Sequence, residues 1–237
     1  MSFTAAGACA PCLAPEIDPP AMTNDTPMNG PTLDELVRSL TLPAGVTLRL
    51  PREEEFATLP GLLREWYPQV RVGAESIFLN SEFLKREVVT EGNLRPNIYA
   101  IFIVQHGLSV GFTSYERQPA NATLHGRLGV LAPEARTGFL GALGFMVLET
   151  IAKLTGAELI LVWLTLASKN QQYFAERKGY QLVGIVPGFD RDQLTNERSL
   201  RVSEALVAKL LVPESEVLSP APDALTPRTK RLLEAIL

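Results

Sequence analysis

The residues best suited to chemistry lie just ahead of one strongly apolar stretch. Pro133, Glu134, Ala135, Arg136, Thr137 and Gly138 form a polar turn, and residues 139–155 follow with the length and apolarity of a helix. A helix N-terminus presents unpaired N–H groups and the positive end of the dipole, which together hold phosphate well. Gly138 and Gly141 permit close backbone approach, and Arg136 adds positive charge. His125 and His106 are the two imidazoles of the chain, and such a ring titrates at ~6.5 when unperturbed. His106 adjoins Gly107 and reads as a turn residue. Tyr173 and Asn170 fall in a short helical stretch stopped by Gly179. A tyrosine hydroxyl is a proton donor and an asparagine a helix cap. Cys9 and Cys12 are the only cysteines and are set among Ala and Pro. A redox dithiol would need a strand before it and a helix after it, and one pair cannot complete a four-ligand zinc site, so no metal is expected.

Composition narrows the partners. Of 237 residues, 46% are hydrophobic and 20% charged, with a formal net charge of −4. There is no basic stripe, so no nucleic-acid partner is expected, and an acidic surface favours cationic or neutral substrates. No basic segment with an apolar core opens the chain, and no apolar run reaches the ~18 residues of a membrane helix. A cytoplasmic protein with no membrane partner is expected.

These residues are positioned by a regular series of elements. Residues 1–31, rich in Ala, Pro, Thr and Asn, predict a disordered tail. Residues 32–40 predict a short helix capped by Thr32. Val46, Leu48 and Leu50 alternate with Thr47 and Arg49 as in a half-buried strand. Pro51 and Glu53, Glu54 and Glu55 suit the start of a helix running to Trp66, and residues 75–90 predict a second. Residues 98–104 and 108–115 predict a hairpin turning at Gly107. Glu116 then belongs to a solvated turn, and residues 124–131 form a third antiparallel strand. A crossover helix makes the strand at 158–165 parallel to 124–131, and Leu159 to Leu164 are apolar on both faces, as a central parallel strand requires. After a helix at 170–178, residues 181–186 predict a strand ending before Pro187 and Gly188. Residues 199–212 fit a helix and a strand face equally. Residues 213–237 read as a Pro-rich linker and a short helix. The fold class is α/β (α+β): a mixed, mostly antiparallel sheet of about six to seven strands flanked by helices over residues 32–212.

This order, with Leu131, Pro133 and Arg136 at the end of one strand, Gly141 in the following helix start, and Asn170 to Gly179 and Tyr180, resembles the GCN5-related N-acetyltransferases (GNAT). Phe139 stands where that pattern has its first glycine, and Ala175 where it has a tyrosine. The resemblance places the seventh strand at residues 202–211. It implies acetyl-CoA as co-substrate, no metal, and direct transfer of acetyl to a primary amine, and it allows a homodimer. By the resemblance, N–H groups of Thr137, Gly138, Phe139, Leu140, Gly141 and Ala142 cradle the CoA pyrophosphate beside Arg136. Val130 and Leu131 hold the pantetheine arm, Asn170 caps its helix and touches that arm, His125 is the base, and Tyr173 protonates the departing thiolate. Trp66 and Tyr67 fall where the acceptor wall belongs. Two other classes stay open: an inert acyl-CoA-binding or partner-binding module on the same fold, and a redox protein using Cys9 and Cys12.

Overall fold

The computed structural model describes residues 30–136 and 139–236. Cys9, Cys12, the expected tail up to residue 29, and Thr137 and Gly138 fall outside the described residues. The strands are β1 (Val46–Arg49), β2 (Ile98–Gln105), β3 (Leu108–Gln118), β4 (Thr123–Leu131), β5 (Leu159–Thr165), β6 (Gln181–Thr195) and β7 (Arg198–Leu210). They form one seven-stranded sheet in the order β1-β2-β3-β4-β5-β7-β6. All neighbours run antiparallel except β4 and β5, which the crossover helix makes parallel. The β2–β3 hairpin closes through His106 (φ 50°) and Gly107 (φ 82°). Two successive positive φ values match the twist of the flanking strands.

The helices are α1 (Leu33–Arg38), α2 (Leu59–Trp66), α3 (Ser81–Glu87), α4 (Leu140–Thr155), α5 (Lys169–Arg177) and α6 (Pro227–Ile236). Thr32 caps α1 in a reciprocal box with Glu35, satisfying two otherwise unpaired donors. The two long helices expected at 51–66 and 75–90 are each broken in two. A 3-10 turn, Glu53–Ala57, precedes α2, whose Pro60 is tolerated only in a first turn. A second 3-10 turn, Ala74–Leu79, stops at Asn80, whose side chain accepts from Glu82 and Phe83 N–H and restarts the chain as α3.

Core packs on both faces of the sheet. On one, Phe78, Phe102 and Phe112 meet edge to face. On the other, α4 covers the sheet with Leu143, Val147, Leu148 and Ile151, all buried. β6 runs well past the expected stop at Pro187. The register slips between Val186 and Asp190, so Pro187, Gly188 and Phe189 bulge out of the ladder. Arg201 Nη1 donates to the Gly188 carbonyl at 2.8 Å. An edge strand tolerates proline at such a bulge. Residues 199–210 are strand, because β7 pairs with every residue of β5.

Candidate active site

β4 and β5 part company halfway along. Their parallel rungs run from Thr123↔Leu159 to Gly126↔Val162 and end there. Beyond that point β4 pairs only with β3, and β5 only with β7. The cause lies in β4: Tyr115 faces Gly126 while Thr113 faces Gly129, so β4 takes three steps where β3 takes two. Such a bulge bends its strand out of the sheet. A wedge-shaped opening results between residues 127–131 and 163–165.

β4 leads directly to the start of α4. A 3-10 turn, Pro133–Ala135, and Arg136 carry the chain across. Arg136 donates from Nε to the Leu131 carbonyl at 3.2 Å and from Nη2 to the Trp66 carbonyl, tying this turn to the end of α2. Among the described residues no side chain caps α4, and no acidic residue occupies its first turn. Phe139, at the cap position, is exposed and Leu140 buried. A depression of about 210 Å³ beside them is lined by Pro43, Gln105, Glu134 and Phe139. A larger one, about 310 Å³, lies around Arg49 and Glu55, whose two-pronged ion pair at 2.7 and 2.8 Å satisfies both charges; it involves neither the opening nor the start of α4.

The cradle expected from sequence needs two corrections. The Ala142 N–H donates to the Phe139 carbonyl at 2.9 Å, closing the first turn on itself, so it is not offered outward. Asn170 does not cap α5: Ser168 does, accepting from the Asn170 N–H at 3.3 Å. Gly141 is bare for a packing reason, since a Cβ there would sit 3.1 Å from the Phe174 ring of α5. Tyr173, on the outer side of α5, is half exposed, with the Lys169 ammonium 5.9 Å from its ring centre. Val130 is buried and Leu131 partly buried on the β4 wall of the opening.

A second constellation occupies the sheet face away from α4. A Cβ on Gly126 would lie 3.0 Å from Val162 and 3.4 Å from Leu148, so both positions face α4. Alternation then turns Leu161, Trp163 and Thr165 the other way, together with their rung partners His125 on β4 and Leu206 and Glu204 on β7. Arg127 bridges two carboxylates there, Glu75 (Nε–Oε1 2.9 Å) and Glu116. Glu116 is therefore a strand residue in an ion pair, not a solvated turn residue. Burial holds Glu75 above the ordinary carboxylate range despite that guanidinium, and its Oε2 is buried without a partner. His125 is pushed below its ordinary value chiefly by burial, which outweighs Glu116. Trp66 is core, whereas Tyr67 donates to Asp192 at 3.3 Å. Asp190 accepts from the Ala74 N–H at 2.8 Å. Gly73 (φ 87°) makes that approach possible, because a Cβ would fall 2.3 Å from the Asp190 carboxylate. Trp163 and Phe189 stack at 3.9 Å. Among the described residues no group of three or more His, Cys, Asp or Glu side chains is placed to hold a metal ion.

Comparison with known proteins decides the fold. The ribosomal L7/L12 alpha-N-protein acetyltransferase in complex with coenzyme A is 13% identical, with a TM-score of 0.54 over 72% of this chain and 96% of that one. The dodecameric spermidine N-acetyltransferase of Vibrio cholerae is 12% identical, with a TM-score of 0.54 over 71% and 95%. The ribosomal-protein-S5-alanine acetyltransferase of Vibrio fischeri is 12% identical, with a TM-score of 0.52 over 76% and 98%. This is the GNAT fold. No family model and no curated protein matches the sequence. Sequence reasoning named the turn between β4 and α4 and His125 as candidates and did not single out Arg127, Glu75, Asp190, Asp192 and Glu204. Their partners come from distant segments, and the only local sign is a lone acid in the apolar alternation of β7.

Proposed function

We propose that this protein is an acyl-CoA-dependent N-acyltransferase that moves acetyl from acetyl-CoA to a primary amine by direct attack. The observation that carries this reading is the continuity of the β4/β5 opening with the uncapped start of α4, on a fold whose solved relatives are acetyltransferases. The pyrophosphate binds at that helix end, on main-chain N–H groups of Thr137, Gly138, Phe139, Leu140 and Gly141, with Arg136 alongside. The pantetheine arm enters the opening beside Val130 and Leu131, where a main-chain N–H polarises the thioester carbonyl. Asn170 flanks the arm from α5, and Tyr173 donates a proton to the departing thiolate. His125 and Glu204 compete for the role of base. A water-poor cleft holding amine and thioester together removes much of the entropic barrier.

The test is mass spectrometry of the full chain incubated with labelled acetyl-CoA and a panel of primary amines. Labelled amide appearing with free CoA is the expected result. The rival reading, an inert acyl-CoA-binding module, is favoured by the exposure of Tyr173, which among the described residues no hydrogen bond holds toward the opening. CoA binding in a calorimeter without amide from any amine establishes the rival, and absence of CoA binding overturns both.

A further inference from the structure

We propose that Glu204 is the general base, taking the proton of the acceptor's ammonium group at the mouth of the β4/β5 opening; this rests on the acyltransferase reading. The position comes from the ladder. Glu204 is the rung partner of Thr165, three residues beyond Val162, the last β5 residue paired with β4. Three steps carry it roughly 10 Å past the closed seam. On the opposite wall, four residues beyond Gly126 with one absorbed by the bulge, stands Val130. Glu204 thus stands level with the stretch of β4 beside which the thioester lies, across β5 from it and on the face away from α4. His125 pairs with Leu161, four residues before Thr165, so it lies roughly 13 Å back along the sheet, within the closed seam. A base acts within a hydrogen bond of its proton or through one water.

Partners separate Glu204 from the other acids on this face. Glu75 and Glu116 are bound to Arg127, Asp190 accepts from the Ala74 N–H, and Asp192 accepts from Tyr67. Among the described residues Glu204 forms no hydrogen bond or ion pair, although it is partly buried. The groups facing it are Asp190 and Asp192 from β6, Glu75 from the 3-10 turn and Tyr67 from the end of α2; all are acids. Burial first, then repulsion from Asp190, Glu75 and Asp192, pushes the Glu204 carboxyl up to about 7. A base poised there is ionised enough to act at neutral pH yet basic enough to draw a proton.

The step balances without a co-reactant. The Glu204 carboxylate takes one proton from R–NH₃⁺. The freed nitrogen lone pair forms the C–N bond to the thioester carbon, and the C–S bond breaks as the tetrahedral adduct collapses. The departing thiolate takes a proton from Tyr173 to become CoA–SH, the second nitrogen proton replaces it on Tyr173, and Glu204 returns its own proton to water.

Two probe amines test the assignment on the full chain with acetyl-CoA. Propylamine is an ammonium ion at neutral pH, whereas aminoacetonitrile is already a free amine. For the parent, kcat/KM with propylamine should rise with pH through about 7, and this limb should be absent with aminoacetonitrile. Glu204→Gln should lose ~10²–10⁴-fold with propylamine at neutral pH while staying within a few-fold of the parent with aminoacetonitrile. The proposal is overturned if Glu204→Gln matches the parent on propylamine, if both amines suffer equally, or if only His125→Ala shows the selective loss. The two parent profiles decide the matter even if the variant fails to fold, since identical limbs for both amines also overturn it. A parent that acetylates neither amine, nor any other in the panel, refutes the acyltransferase reading itself.

Discussion

A half-buried carboxylate surrounded by other acids is a strained choice for stability, and the strain has a definite sign. The folded pKa of Glu204, about 7, lies above its ordinary value of 4.5. Folding therefore binds its proton more tightly than the unfolded chain does. The cost of keeping the group charged is absent below the unfolded pKa, grows between the two values, and is fully present above about 7. Glu204→Gln should then stabilise the protein at about pH 8 and do little at about pH 4. Discounted for solvent exposure, the gain is on the order of 1 kcal/mol, roughly 2–4 °C in melting temperature. Equal thermal shifts at both pH values would show that the carboxyl is not displaced. No reading of the sequence identifies this group. Its neighbours sit at positions 67, 75, 190 and 192, and only the packing of β6 against the segment around Gly73 brings them together. Residues governed by local chemistry were legible: Thr32 as a cap, and His106 and Gly107 as a turn.

Among the elements, α4 carries the most function, and its first turn can be tested without disturbing its packing. Phe139 is exposed at the cap position. Glutamate there would favour the helix by ~0.3–1 kcal/mol through the dipole while placing a negative charge where the pyrophosphate binds. Phe139→Glu is thus expected to keep or raise the melting temperature and to weaken CoA binding at least ~10-fold, about 1.4 kcal/mol, by calorimetry. Unchanged affinity would move the pyrophosphate elsewhere. Gly141 is a poorer probe, because any side chain there meets Phe174 first. Element type was legible wherever periodicity was strong, as in α4, the apolar β5 and the β2–β3 hairpin. It failed where a single residue reset the backbone: Pro60 and Asn80 divided two expected helices. It failed again at Pro187, where the edge position of β6 let the strand continue through a bulge that only tertiary pairing reveals.

At the scale of the whole molecule, the sheet is two blocks, β1 to β4 and β5 with β7 and β6, joined across four rungs and by α4 packed against strands of both. The parallel strands were expected from the chain itself, whereas the gap beside Val130 and Leu131 was expected only from the family resemblance, since it arises from one extra residue in β4 that leaves no mark in hydrophobic patterning. A ligand laid in the opening contacts both blocks, so binding and stability should be linked. At a concentration 100-fold above Kd, CoA should add ~2.7 kcal/mol, roughly 5–10 °C in a protein of this size. Hydrogen exchange should slow selectively at residues 129–131 and 163–165, the two walls of the opening, and at the start of α4. The two variants then separate the functions of the site. Phe139→Glu should lose most of the thermal shift, whereas Glu204→Gln should keep it, because the amine pocket lies on the face away from the nucleotide. A thermal shift accompanied by slowed exchange around Arg49 and Glu55 instead would place CoA in the depression beside α2 and leave the opening without a ligand.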